Sequence, residues 1–412
     1  MTLPEIAPVQ QQLSGEHVAD VDAAVRQGLR DLPLSASVRP GMQVAVGLGS
    51  RGIGCIRAVV AAVLDEVRAC GGRPFLVPAM GSHGGGTAEG QAAVLEGYGL
   101  GEAKLGAPIC SSMDVVQLGL AETGMPVYFD AQAAQADAIL LVNRVKPHTA
   151  FRGRWESGLF KMLSVGFGKA RGAATLHSWG IADAIPAAAR VIVRRLPVAA
   201  GVAIVENGFH QPAHIAVVPA ADIEQAEPDL LQMAWRHLPR IPFDPLDLVV
   251  LGEIGKDISG TGMDLNVVGM WRRTGGPVQP QYRVIAGLDL TEGSHGNAIG
   301  AGYCDLISRR LRDKIDLDAT YTNCLTAGNY SGAKLPITLP TDRAVLEAGL
   351  PPRDPQQARV VIVRNTLDLH TLWVSAALLP DVEASPALTQ IGPLRPIRFA
   401  DDGSLQIDWS PA

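Results

Sequence analysis

The chain is long enough, at 412 residues, and apolar enough, with 47% hydrophobic and 18% charged residues, to bury a large core and divide into two domains. Its net charge is −6 and no window gathers Lys and Arg among aromatic residues, which argues against a nucleic-acid surface and favours a small-molecule partner. No apolar run approaches the roughly twenty residues that cross a bilayer, and the first residues lack the basic-then-apolar order of a signal peptide, so we expect a cytoplasmic protein.

Strand-length apolar runs alternate with Ala-rich helical segments in the first half of the chain. The predicted strands are MQVAVGL, RPFLVPAM, DAILLVN and GVAIVEN, and the predicted helices include CIRAVVAAVLDEVRACGG and DAIPAAARVIVRRL. This alternation is typical of a parallel sheet flanked by helices.

A second alternation follows the proline-rich stretch PRIPFDPLD. It predicts the strands DLVVLGE, YRVIAGLDL and ARVVIVRN and the helix AIGAGYCDLISRRLRDK at residues 298–314. We therefore predict an α/β protein of two domains with mainly parallel sheets, an N-terminal domain at 1–243 and a C-terminal domain at 244–394. The tail at 395–412 is expected to be a short hairpin or extension, and its domain stays open.

The polar residues that follow the strands indicate a functional edge. Ligands of parallel sheets bind at the carboxyl ends of the strands, where the next loops meet. In the first domain these loops carry Arg51, His83, Lys146, His148 and Glu206, and in the second they carry Glu253, Lys256, Asp257, Glu292, His295 and Asn365. Two such edges predict an active-site cleft between the domains.

The loop GLGSRG, residues 47–52, matches the glycine pattern of a dinucleotide-binding turn. The next strand, RPFLVPAM, ends without the acidic residue that would hold a ribose, which weakens a nicotinamide site. The loop also suits an anion, because Gly49 and Ser50 precede a helix and Arg51 can clamp a carboxylate or a phosphate. A solvated arginine is the alternative.

Three histidines and one lysine are the candidates for chemistry. His83 in GSHGGGT and His148 in KPHT lie on separate strand-end loops, and imidazoles are suited to exchange protons near neutral pH. Lys161 has apolar neighbours, which predicts partial burial. His177 follows sixteen residues later, too far for one uninterrupted helix across Gly166, Gly168 and Gly172, and taken alone it reads more readily as a packed helical residue than as a metal ligand. Neither an HExxH motif nor a cysteine pair indicates a metal site.

Several motifs in order resemble the lactate racemase family, whose members use a nickel-pincer nucleotide. They are GSRGIG, VPAMGSHGGGTAEGQ, NRVKPHTAFRG, ESGLFKML and GFGKARGAATLH, which span about residues 41 to 180. The resemblance implies that His177 ligates nickel and that Lys161, with Gly49 and Ser50, binds the cofactor. It also implies that His83 and His148 act as acid and base on opposite faces of the substrate, with Arg51 as a contact of the substrate carboxylate. Lys256 in the second domain is a further candidate substrate contact.

The implied activity is racemisation or epimerisation of a 2-hydroxy acid by proton-coupled hydride transfer through a bound 2-keto acid. Proteins that synthesise the cofactor are the implied partners for loading; the oligomeric state stays open. Lactate-specific members carry an acidic residue where this chain has Leu48, and the segment GKDISGTGMDLNVVG arranges Lys256 differently, so the identity of the hydroxy acid is open. The remaining alternatives are a nicotinamide-dependent oxidoreductase and a homologue without racemase activity that binds an organic anion or a mononucleotide.

Overall fold

The structure is a computed structural model that describes residues 2–32, 34–49 and 52–409. The chain forms two compact units. The first unit consists of Ser14–His148 and Arg152–Leu238, and the second unit consists of the N-terminal strand, the short stretch Thr149–Phe151 and the chain from Pro239 onward. The predicted α/β class with mainly parallel sheets is confirmed.

The first unit has a five-stranded sheet with helices packed on it and a separate two-stranded sheet. The strands of the unit are β2 (Gln43–Leu48), β3 (Arg73–Pro78), β4 (Val115–Leu120), β5 (Pro126–Asp130), β6 (Ala138–Arg144), β7 (Val198–Glu206) and β8 (Pro212–Pro219). Its helices are α1 (Val21–Asp31), α2 (Leu34–Ser37), α3 (Ile56–Ala69), α4 (Ala88–Gly97), α5 (Glu102–Leu105), α6 (Leu159–Lys161), α7 (Lys169–Ser178), α8 (Ile181–Arg195) and α9 (Ile223–His237).

The strand order of this sheet is β3-β2-β6-β7-β8, and the first four strands run parallel. Helix α3 forms because its apolar residues recur at helical spacing, which places Val59, Val63 and Val67 against Val44 and Val46 of β2 in one buried core. Strands β4 and β5 form a separate antiparallel pair.

The second unit has an eight-stranded sheet of order β12-β11-β10-β9-β13-β14-β1-β15. Its strands are β1 (Ile6–Gln11), β9 (Leu246–Leu251), β10 (Tyr282–Gly287), β11 (Leu306–Ser308), β12 (Ile337–Leu339), β13 (Val360–Val363), β14 (Thr371–Ser375) and β15 (Leu388–Gln390). Its helices are α10 (Leu265–Val268), α11 (Trp271–Thr274), α12 (Arg309–Asp313), α13 (Leu317–Thr326), α14 (Asp342–Gly349) and α15 (Leu379–Ala384), and β16 (Arg398–Phe399) and β17 (Leu405–Gln406) form a hairpin.

The division of the chain differs from the predicted domains at both ends. Strand β1 was placed in the N-terminal domain, but it pairs antiparallel with β14 and β15 and so belongs to the second unit. The tail from residue 395, which had no predicted domain, also belongs to the second unit and contains the antiparallel pair β16 and β17. The first unit ends at Leu238, five residues before the predicted end of the N-terminal domain at 243.

The helix predicted at 298–314 is wrong. The segment forms the short strand β11 inside the sheet, followed by helix α12. Gly300 adopts φ = 100°, and a side chain at Gly302 would lie 2.1 Å from the backbone oxygen of Ser331. A helix is therefore interrupted before residue 304, and the buried apolar side chains of Leu306 and Ile307 are those of a strand.

None of the helices in the described part of the chain combines the length and apolar composition needed to cross a membrane.

Candidate functional site

The parallel strands of the first unit bring the predicted residues to one edge of the sheet. Because β3, β2, β6 and β7 lie side by side and point the same way, their carboxyl ends share an edge. Gly49 follows β2 directly, His83 comes five residues after β3, His148 comes four after β6, and Glu206 is the last residue of β7. This shared edge is the candidate site.

Gly49 lies where a side chain would crowd Asn143. A Cβ atom at this position would be 2.9 Å from the side-chain oxygen of Asn143 at the end of β6, so the backbone of β2 and the Asn143 side chain approach closely. Asn143 in turn donates from Nδ2 to the backbone oxygen of Gly158 at 2.8 Å. The predicted residues Ser50 and Arg51 lie outside the described residues.

The carboxylate of Glu206 connects the end of the loop that follows β2 to the ends of β6 and β7. Glu206 accepts a hydrogen bond from the backbone N–H of Gly54 at 3.0 Å, and its other oxygen pairs with the guanidinium of Arg144. Arg144 was not predicted to contribute, although a charged residue that ends a buried strand was a usable signal. The pair fixes the strand end of β6 against that of β7.

His83 lies in an exposed loop between β3 and α4. The three residues after it, Gly84, Gly85 and Gly86, have φ of 63°, 68° and 67°, a left-handed conformation that favours glycine. Gln91 of α4 is fully buried beneath the loop and donates from Nε2 to the backbone oxygens of Gly81 at 2.8 Å and His83 at 3.2 Å. The backbone that bears the exposed imidazole is therefore held by hydrogen bonds from the buried Gln91.

His148 is half-buried and its backbone is held by Glu156. The carboxylate of Glu156, 2% exposed, accepts from the backbone N–H of His148 at 2.6 Å and from that of Gly153 at 3.2 Å. Burial raises the pKa of Glu156, while the two N–H groups and the charges of Arg152 and Lys161 oppose the rise. Glu156 therefore closes the turn from 148 to 156 and lies near the predicted cofactor lysine.

We expect Glu156→Ala to lower the free energy of unfolding by about 2 kcal/mol, because two backbone N–H groups lose a charged acceptor. Glu156→Gln keeps one acceptor oxygen and should lose about half as much. Urea denaturation measures both losses, and hydrogen exchange of the His148 amide reports the turn directly. A fully stable Glu156→Ala variant with an unchanged His148 amide would contradict this assignment.

Lys161 is half-buried, as its apolar neighbours predicted. It ends the short helix α6, whose first turn is held by Glu227 of α9: the carboxylate accepts from the backbone N–H of Phe160 at 2.9 Å. Gly158 comes just before this helix, and a Cβ there would lie 2.5 Å from the Glu227 carboxyl carbon. Burial raises the pKa of Glu227 to about 7, and hydrogen bonds from Phe160 and Leu159 act against it.

A π-helix, Met162–Gly166, follows Lys161 directly. Such segments are rare and occur frequently at functional sites. Its end is pressed onto the sheet edge, because a Cβ at Gly166 would lie 2.6 Å from the backbone oxygen of Ala79, and Phe167 lies against Gly47 and stacks on Phe129 at 4.5 Å. The segment between Lys161 and His177 is thereby anchored on β2, β3 and β5.

His177 lies near the end of α7 and is exposed. The prediction that no single helix joins it to Lys161 is confirmed: α6, the π-helix and α7 follow one another, and α7 begins at Lys169 with φ = 53°. An exposed imidazole on this helix suits a ligand bound outside the protein core.

A buried lysine that sequence reasoning missed lies beneath these elements. Lys169 is fully buried, and its Nζ lies 3.1 Å from Asp130 Oδ2, with hydrogen bonds to the backbone oxygen of Pro78 at 2.6 Å and to Gln91 Oε1 at 3.1 Å. Burial lowers the pKa of Lys169 and Asp130 opposes that shift. The sequence held no signal for this cluster, since its members are far apart in the chain.

In the second unit, Lys256 follows β9 as predicted and is half-buried. Its Nζ donates to Asn323 Oδ1 at 2.7 Å and to the backbone oxygen of Gly260 at 2.9 Å, and its backbone N–H donates to Ser294 Oγ at 2.7 Å. These bonds hold the lysine along α13, so its ammonium has a defined position.

Across residues 2–32, 34–49 and 52–409, no group of three or more His, Cys, Asp and Glu side chains is arranged to hold a metal ion. His177 is thus not part of such a group within the described residues.

Comparisons with known proteins bear on the fold. No protein-family model matches the chain, and no curated protein matches it. Among solved structures, the chain is similar to the lactate racemase apoprotein from Thermoanaerobacterium thermosaccharolyticum, with a TM-score of 0.52, 12% sequence identity, and coverage of 87% of this chain and 94% of that chain. At this identity the similarity concerns the fold alone. The chain thus has the fold of that apoprotein along most of its length.

Proposed function

We propose that the protein is a nickel-pincer nucleotide-dependent racemase or epimerase of a 2-hydroxy acid. The observation that carries the proposal is that Gly49, His83 and His148 follow the carboxyl ends of neighbouring parallel strands, in a chain that has the fold of a lactate racemase apoprotein. The π-helix between Lys161 and the helix of His177 adds support, because it is pressed onto the same edge.

The residues that would hold the cofactor are His177, as the nickel ligand, and Lys161, as the contact to the organic part. When bound, the cofactor would supply an acceptor that takes a hydride from the substrate carbon and returns it. The half-buried Lys161 amine lies near Glu156, and its charge opposes the rise in the pKa of that carboxyl. The protein's part is to keep the imidazole and the amine at fixed places along one segment.

The proton steps would fall to His83 and His148. Inversion at a carbon needs a proton acceptor on one face and a donor on the other, and neutral-pH proton exchange is the chemistry of imidazole. The backbone of His148 is fixed by Glu156 and that of His83 by Gln91. Arg51 and Lys256 are the proposed contacts of the substrate carboxylate.

The proposed substrate class is the 2-hydroxy acids, and the residue at position 48 argues against lactate. Leu48, where lactate-specific members carry an acidic residue, is fully buried in β2 and packs in the core, so its side chain offers no hydrogen bond to a substrate. A larger or more polar hydroxy acid would have to be recognised by other residues.

The decisive experiment measures nickel per chain by elemental analysis, in protein made in cells that also express the pincer-cofactor pathway. We expect near-stoichiometric nickel in the wild type and its loss in His177→Ala. His83→Ala and His148→Ala should keep the nickel and lose turnover of the hydroxy acids screened. His17→Ala, at an exposed histidine remote in sequence from these motifs, is the matched control.

Equal nickel in His177→Ala and the wild type would overturn the metal assignment. A wild type without nickel, under conditions that load a known family member, would overturn the cofactor class. Tight binding of a nicotinamide dinucleotide in equilibrium dialysis would then favour the oxidoreductase alternative, whereas binding of an organic anion or mononucleotide without isotope exchange at the α-carbon would favour a homologue with no racemase activity.

A further inference from the structure

Three side chains form a fully buried polar cluster beneath the candidate site. Lys169, Gln91 and Asp130 are each 0% exposed. Three oxygen atoms surround the Lys169 ammonium, those of Pro78, Gln91 and Asp130, at 2.6, 3.1 and 3.1 Å. The second oxygen of Asp130 accepts from the backbone N–H groups of Gln132 and Ala133 at 2.9 and 2.8 Å. A buried charge this well surrounded holds one geometry, because any displacement leaves a polar group without a partner.

The cluster joins the segments that carry the two most exposed candidate side chains. Lys169 is the first residue of α7, the helix of His177. Gln91 bonds Lys169 through Oε1 and, through Nε2, the backbone oxygens of Gly81 and His83. The side-chain amide of Gln91 therefore forms hydrogen bonds both to the loop of His83 and to the first residue of α7.

We propose that Gln91 is a positioning residue that fixes the His83 loop relative to helix α7 through Lys169. The inference rests on the proposed function, in which His83 transfers a proton and His177 ligates the metal. Gln91 touches neither substrate nor cofactor. It acts by setting where the His83 backbone lies above β3.

Two features make this link specific. The His83 loop has three consecutive left-handed glycines, Gly84 to Gly86, so its backbone has little conformational preference of its own. Lys169, in contrast, keeps Pro78 and Asp130 as partners when Gln91 is removed. Loss of the glutamine should therefore loosen the loop and leave α7 in place.

Gln91→Met tests the link, because methionine fills a similar volume without the hydrogen bonds. Hydrogen exchange followed by mass spectrometry should show about tenfold or faster exchange in the peptide covering residues 79–87, with the peptide covering 169–178 unchanged. Gln135→Met is the matched control, since Gln135 is exposed and its side-chain amide donates to the backbone oxygen of Ala131 at 3.1 Å.

Loaded enzyme gives a second readout that a merely stabilising role would not produce. Gln91→Met should keep the nickel content of the wild type and lower kcat about tenfold or more, because His83 is displaced and His177 is not. Unchanged exchange in 79–87, or an equal increase in both peptides, would overturn the inference. The hydrogen-exchange measurement does not require nickel, so it tests the inference independently of the proposed function. Failure of the proposed function would be recognised separately, because the wild type would then contain no nickel.

Discussion

Lys169→Met should lower the free energy of unfolding by about 3–5 kcal/mol, because it leaves the carboxylate of Asp130 as an uncompensated charge in the core. Both side chains are 0% exposed and the ion pair measures 3.1 Å, so solvent cannot take over the role of the lysine. The backbone oxygen of Pro78 and Gln91 Oε1 lose their donor in the same step. Chemical denaturation at pH 7 measures the loss.

The double variant Lys169→Met with Asp130→Asn separates charge from packing. The asparagine that replaces Asp130 is neutral and its side-chain oxygen can still accept from Gln132 and Ala133, so we expect the double variant to recover at least half of the stability lost by Lys169→Met. A loss below about 1 kcal/mol in Lys169→Met, or a double variant as unstable as the single one, would contradict a buried charge pair.

As the pH rises from 4.5 to above 7, we expect the free energy of unfolding of the wild type to fall by about 3 kcal/mol through Glu227. We expect Glu227→Gln not to show this fall. Burial raises the pKa of Glu227 from 4.5 to about 7 in the folded chain. Between these values the folded state holds a proton that the unfolded state has released, so stability falls as pH rises and is highest, for this group, below 4.5. Glutamine cannot ionise and has no such window.

The measurement is the denaturation free energy of both proteins at several pH values from 4.5 to 8. The difference between Glu227→Gln and the wild type should grow with pH and level off above 7. Glu102→Gln, the same change at an exposed position of α5, shows what a surface carboxylate contributes. A difference that does not change across this range would show that Glu227 is ionised as readily in the fold as outside it.

The sheet of the first unit could be predicted because its strands are buried on both faces and read as continuous apolar runs. MQVAVGL and GVAIVEN correspond to β2 and β7. The parallel arrangement was predictable because helices such as α3 alternate with these strands along the chain. The segment 298–314 failed because a short buried strand and a helix share the same apolar content, and periodicity over three strand residues cannot separate them.

The candidate site was predictable where it depends on strand ends. His83 and His148 follow strands in sequence, and a parallel sheet places such residues at one edge. Gln91, Lys169 and Glu227 were not predictable, because their roles depend on partners far away in the chain: Lys169 contacts Gln91 from 78 residues away and Glu227 caps α6 from 67 residues away. Propensity and local pattern carry no information on such pairs.

The first unit lies within the chain of the second, since strand β1 precedes it and, apart from Thr149–Phe151, the rest of the second unit follows. Gln10 bonds His370, a partner 360 residues later. At a synthesis rate of roughly 5–20 residues per second, β1 leaves the ribosome roughly 20–70 s before β14 exists to pair with it. Once Leu238 has been synthesised, the first unit has its whole sequence available and can complete its core, whereas the larger sheet must still wait for β9 to β15. On the ribosome, therefore, the part of the chain that carries His83, His148 and His177 can fold before its host sheet is closed.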